Sequence, residues 1–140
     1  MEELFLLILA LGCIFLILQW RMKMAQRNIE GKEIPDAIRT EKYLSDGVIY
    51  YFYHPMCGPC RQTGFIIDEL VQLYPDRVRK LNVAESHELT SSMGIKATPT
   101  TVFIKDNQVL KATIGLISKP SLSALLNPAD PKKKVLESSD

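Results

Sequence analysis

Val48-Ile49-Tyr50-Tyr51-Phe52-Tyr53 runs into His54-Pro55-Met56 and then into Cys57-Gly58-Pro59-Cys60. The first six residues are β-branched or aromatic and almost continuously apolar, the pattern of a strand buried on both faces. His54-Pro55-Met56 reads as a loop, and a helical pattern follows from about Cys57 to Tyr74, where Pro75 stops it. Two of the three cysteines therefore sit two residues apart at a strand-to-helix junction, which reads as a redox dithiol. The spacing has a geometric reason: on the first turn of a helix, residues i and i+3 face the same way and can close into a disulfide. The first cysteine also lies where unpaired N–H groups and the helix dipole favour a thiolate.

The rest of the composition narrows the reading. A chain of 140 residues is one ordinary domain plus extras. A net charge of +1 gives no basic excess for nucleic acid. Cys13 lies inside an apolar run, where it reads as a small apolar filler. Closed zinc sites need four protein ligands, and the sequence has no second C-x-x-C and only His54 and His87, so a metal site is not expected.

Leu4 to Leu18 carries no charge, and Gln19 and Trp20 extend the run. As a helix it is roughly 25 Å long, the short end of what spans a bilayer. A cleaved secretory signal wants a positive start and a small-residue cleavage site, whereas this chain starts Met1-Glu2-Glu3 and continues after the run with Arg21-Met22-Lys23-Met24. A single uncleaved transmembrane helix over residues 1–20 is the expectation, with Trp20 at the interface. Arg21, Lys23 and Arg27 follow the span, so the positive-inside rule places the rest of the chain in the cytoplasm, with membrane lipid as a partner of the anchor.

Residues 21–32 read as a polar linker. A short helix is expected from Ile34 to Leu44, with Ile34, Ile38 and Tyr43 inward and Gly47 breaking it. The helix after the dithiol keeps helical spacing through Phe65, Ile66, Leu70 and Leu73. Val78–Val83 reads as a second strand, and Ser86 opens a short helix carrying Leu89 and Met93, ended by Gly94. Thr100–Lys105 and Val109–Ile114, joined at Asp106-Asn107, read as a hairpin. Ser118 and Pro120 open a last helix through Leu126. Residues 128–140 read as a disordered tail whose Lys132-Lys133-Lys134 triplet is solvated. The β-α-β unit implies two parallel strands by a right-handed crossover, and the hairpin adds antiparallel ones.

Over about residues 33–127 the chain resembles the thioredoxin family. The resemblance is carried by Cys57-Gly58-Pro59-Cys60, by Gly94-Ile95-Lys96-Ala97-Thr98-Pro99-Thr100, by Lys80-Leu81-Asn82-Val83 and by Ile114-Gly115. It implies an α/β, thioredoxin-like fold, a central mixed sheet flanked by helices, here preceded by one N-terminal transmembrane helix. It also implies that Pro99 packs beside the dithiol with a cis bond to Thr98, a specific feature because cis X-Pro bonds are uncommon. The exposed Thr98 backbone would then dock a substrate segment as an added strand. The dithiol carries the chemistry itself, so no cofactor is implied.

The mechanism expected from this resemblance makes Cys57 the nucleophile on a target disulfide and Cys60 the residue that resolves the mixed disulfide. Lowering a thiol pKa from about 8.5 to about 7 raises the thiolate fraction at pH 7 roughly 15-fold, while nucleophilicity falls about 5-fold; the larger benefit is a better leaving group. Gly58 and Pro59 fix the turn, proline being tolerated in the first helical turn because its missing N–H would have no partner there.

Two positions depart from the family pattern. Met56 stands where an aromatic residue is usual, and Tyr51 stands where a buried strand carboxylate is usual. Tyrosine is a poor base at neutral pH. Lys80 matches the family's lysine and is expected to lack its acidic partner, so that water, the departing thiolate or His54 would serve Cys60. His54 itself reads either as a cation near the thiol or as a plain loop residue.

The leading expectation is a membrane-tethered thiol–disulfide oxidoreductase that reduces protein disulfides. Its partners would be a disulfide-containing protein and an upstream electron donor, either a reductase or a membrane thiol carrier. An outward-facing enzyme of envelope redox pathways such as cytochrome maturation is the first alternative. A non-enzymatic tethered docking module is the second.

Overall fold

The computed structural model describes residues 1–39 and 42–127; the tail expected after Pro128 lies outside them. Four strands form one mixed sheet: β1 (Val48–Tyr53), β2 (Val78–Asn82), β3 (Thr100–Lys105) and β4 (Gln108–Ile114). Their order is β2-β1-β3-β4, with β1 and β2 parallel and the two remaining pairs antiparallel. The central pair is the most apolar, as a sheet covered on both faces requires. Val48, Ile49, Tyr51 and Phe52 of β1 and Val102 and Ile104 of β3 are fully buried.

Alternation along the strands splits the core in two. Val48, Tyr50 and Phe52 face a cluster with Ile34, Ile38, Leu44, Met93 and Val109. Ile49 and Tyr51 face the opposite cluster with Ile67, Leu70, Leu122 and Leu126. The second face is covered by α2 (Gly58–Leu73) and α4 (Lys119–Leu126). Ser118 caps α4 by accepting from the Ser121 N–H, with Pro120 in the first turn. Asp106 and Asn107 both take positive φ, 50° and 64°, the primed turn that suits a two-residue hairpin. Gly47 is required by its surroundings: its φ is +88°, and a Cβ there would sit 2.4 Å from the Phe103 ring.

Two local expectations are corrected. Among the described residues between Ile34 and Leu44, the helical element is a 3-10 turn, Asp36–Ile38, and not an α-helix. Ile38 N–H bonds to Pro35 O, and the Arg39 guanidinium occupies the Ile34 carbonyl, which an α-helix would need. On α2 the inward stripe is Cys60, Thr63, Gly64, Ile67 and Leu70, while Phe65 and Leu73 are exposed. Small residues lie where that helix approaches the sheet, so counting apolar positions alone misplaces the face. Ser86 opens α3 (His87–Ser92) from its N-cap position, as expected, though without a side-chain cap bond.

At the N-terminus, α1 (Glu2–Arg27) is one helix of 26 residues, about 39 Å long, with no buried residue. It continues seven residues past Trp20 into the stretch read as a linker. Ile29, beyond it, is 3% exposed and belongs to the core. The helix is long and apolar enough to cross a membrane.

Candidate functional site

β1 ends at Tyr53, and the chain must turn before α2 begins. The turn is built by His54, whose carbonyl accepts the Cys57 N–H at 3.1 Å and whose Nδ1 accepts the Met56 N–H at 3.1 Å. That use of Nδ1 requires it unprotonated, so an imidazolium at His54 would give up a bond that shapes the turn. Met56 projects outward, 88% exposed.

Cys57 is the N-cap of α2, and its sulfur accepts the Cys60 N–H at 3.2 Å. The Cys57 sulfur thus satisfies one of the four N–H groups that a helix start leaves without a partner. Gly58 and Pro59 fill the first two helical positions. Cys57 and Cys60 are joined as a disulfide, with their Cα atoms 5.3 Å apart. Exposure divides the pair: Cys57 is half-buried, whereas Cys60 is 5% exposed.

Across the turn, the Thr98–Pro99 bond is cis and Pro99 is buried. The Thr98 carbonyl oxygen lies 3.6 Å from Cys57 Sγ. Pro99 is held from behind by its own carbonyl, which accepts the Gly115 N–H at 2.8 Å. Residues 41 positions apart in sequence therefore meet at the sulfur.

Beneath the dithiol, Tyr51 is fully buried and donates its hydroxyl to the Cys60 carbonyl at 2.9 Å. Burial, with smaller contributions from Asp68 and Tyr53, pushes its phenol up to about 12. Tyr51 therefore keeps its proton and braces the first turn of α2.

The expectation that Lys80 lacks an acidic partner is corrected. Lys80 Nζ lies 2.7 Å from Asp68 Oδ1 and 5.1 Å from the centre of the Tyr53 ring. The carboxylate comes from α2 instead of from the strand, which sequence reasoning missed. The available signal was helical spacing, since Asp68 lies on the stripe of Cys60 and Gly64 at i+4 and i+8. A cleft of about 230 Å³ joins these groups, lined by Tyr53, His54, Cys57, Cys60, Asp68 and Lys80 among others. Among the described residues, no group of three or more His, Cys, Asp or Glu is placed to hold a metal ion.

This sheet order, this dithiol and this cis-proline define a thiol–disulfide exchange fold. The family model described as Thioredoxin matches residues 33–128. Thioredoxin 1 of Synechococcus elongatus is 35% identical over 98 residues, covering 67% of this chain and 92% of that protein. Thioredoxin of Bacillus subtilis is 33% identical over 86 residues, covering 59% and 83%. Among solved structures, oxidized mitochondrial thioredoxin 3 of Saccharomyces cerevisiae superposes with a TM-score of 0.53 at 28% identity, covering 66% of this chain and 89% of that one. A mutant thioredoxin from Halobacterium salinarum gives 0.56 at 26% identity, covering 71% and 90%. The chain belongs to the thioredoxin family and is a thiol–disulfide oxidoreductase of the thioredoxin type. The family match starts at Glu33, so α1 lies outside it.

Proposed function

We propose that this protein is a membrane-tethered reductase of protein disulfides, in which Cys57 attacks and Cys60 resolves. The observation that carries the reading is the asymmetry of the pair: Cys57 is half-buried at a helix start, with its Sγ 3.6 Å from the Thr98 carbonyl, while Cys60 is 5% exposed. In the reduced protein the Cys57 thiolate attacks one sulfur of the target disulfide and expels the other as a thiolate. Cys60 then loses its proton and attacks Cys57, which releases the second target thiol and leaves the Cys57–Cys60 disulfide. Two electrons pass to the target. A reductase or membrane thiol carrier returns them to the dithiol.

Each surrounding residue has a defined part in this scheme. The α2 N-terminus stabilises Cys57 as thiolate and as leaving group. Thr98 and Pro99 present backbone to an extended target segment. Tyr51 and His54 fix the turn. Met56 offers a flexible apolar contact to the target. α1 serves as a single-pass anchor, and Arg21, Lys23 and Arg27 favour a cytoplasmic position for the domain.

Two experiments test the proposal. Cys60→Ser should accumulate a mixed disulfide on Cys57, separable on a non-reducing gel; failure to trap any target through Cys57 would refute the assignment. A membrane-impermeant thiol reagent applied to intact cells should leave reduced Cys57 unlabelled. Labelling from outside would favour the envelope-facing alternative.

A further inference from the structure

The passage from α1 into the domain is a bonded strip along the free edge of β4. Gly31 N–H donates to Val109 O at 2.8 Å, Val109 N–H to Lys32 O at 3.0 Å, and Ile34 N–H to Asn107 O at 3.2 Å. Glu33 forms an antiparallel bridge with Gln108. The Glu30 carboxylate accepts the Ala112 N–H at 2.9 Å, and Ile29 is buried in the core. An edge strand would otherwise offer these groups to another chain. Here they hold the residues that follow α1 against one end of the sheet.

Which end it is can be read from the register. β4 runs from Gln108 toward Ile114, which pairs with Thr100 directly after Pro99. The strip is antiparallel, so tracing it back from Glu33 through Glu30 leads to the Pro99 end of the sheet. The last turns of α1 arrive there. Ala25 and Asn28 share a cavity of about 270 Å³ with Gly94, Lys96 and Ile114. Lys96 also borders, with His54 and Thr98, the depression beside the dithiol. From Trp20 to Arg27 the helix advances only about 10 Å. Arg21, Lys23 and Arg27, in that interval, suit anionic headgroups. Two exposed apolar side chains, Met56 and Leu116, lie at this same end.

We propose that the strip holds the dithiol toward the bilayer, so that the substrates are disulfides held at the membrane surface, in membrane-embedded or membrane-docked proteins. This rests on the tethered reading above. The exchange itself is unchanged: the target disulfide gains two electrons and becomes two thiols as Cys57 and Cys60 become a disulfide.

The test uses the full chain in lipid nanodiscs whose headgroups carry a chelated gadolinium ion, read by amide relaxation. The two ends of β1 are separated by roughly 20 Å. Amides of Met56, Ala97 and Thr98 are expected to relax on the order of tenfold faster than those of Asp46 and Asp106, given that separation. Equal relaxation at both ends, or the reverse order, would overturn the proposal. A chain that stays out of the nanodiscs would instead overturn the tether reading, and this proposal with it. A short Gly-Ser insertion between Arg27 and Asn28 should erase the difference; its persistence would show that the strip does not orient the domain. In the same nanodiscs, a disulfide on a single-span peptide near the headgroups should be reduced several-fold faster than the same disulfide on a soluble peptide. The insertion should remove that preference without changing the soluble rate, and equal rates in the unmodified chain would contradict the substrate class.

Discussion

The two long helices of this chain divide their surfaces in opposite ways. α1 is apolar around its whole circumference from Leu4 to Leu18 and buries nothing. α2 is apolar on one stripe, which disappears against the sheet, and the opposite face is wet. A helix that is apolar all round needs a nonpolar surrounding, whereas a one-sided helix needs a partner. The difference also locates the chemistry. α1 offers no polar side chain at its centre, while α2 starts at a sulfur that both caps the helix and forms half of the disulfide.

The largest expected effect falls on that helix start. Cys57→Ser should bring reduction of soluble insulin to background, because no other exposed thiol of the domain can attack; activity that survives would break the contrast between the helices. The next effect concerns packing. Leu70→Ala should cost about 2–5 kcal/mol in a denaturant titration. Leu73→Ala, on the exposed face of the same helix, should stay within about 0.5 kcal/mol. Comparable losses would mean that the inward stripe has been misassigned.

A charge in the middle of α1 sharpens the contrast in the other direction. Leu9→Lys should cost about 2.5–3.5 kcal/mol of membrane insertion and move the protein toward the soluble fraction. Insulin reduction per folded molecule should not change, since Leu9 lines no part of the dithiol cleft; loss of both together would tie α1 to catalysis. The smallest effect concerns Tyr51. Its folded phenol is raised to about 12, above its unfolded value of 10, so the stability it contributes is present below pH 10 and is lost as pH rises through about 12. Tyr51→Phe should lose about 1 kcal/mol near neutrality with the hydrogen bond to Cys60 O. Its deficit against wild type should shrink between pH 10 and 12 in denaturant titrations, and a constant deficit would contradict the raised phenol.

Much of this was legible in the sequence because the signals were local. The run Val48–Tyr53, the dithiol spacing, the Asp106-Asn107 turn and the Ser118-Pro120 start each follow from a few adjacent residues. The cis Thr98–Pro99 bond followed from the family resemblance alone, and the structure has it. What was not legible depends on distant residues. Asp68 replaces the strand carboxylate only because two turns of α2 bring it over Lys80. Gly31 and Lys32 fall in the 21–32 stretch that reads as a polar linker, yet with Ile34 their backbone completes the edge of β4. Ile34–Leu44 has helical apolar spacing, but Ile34 donates its N–H to Asn107 and its carbonyl accepts from Arg39.

Attack by one sulfur and resolution by the other rest on their unequal exposure, and differential alkylation measures it most directly. In reduced full-length protein carrying Cys13→Ser, limiting iodoacetamide followed by peptide mapping should modify Cys57 first, with Cys60 protected until the domain unfolds. Equal labelling of the two, or Cys60 reacting first, would contradict the assignment of attacker and resolver.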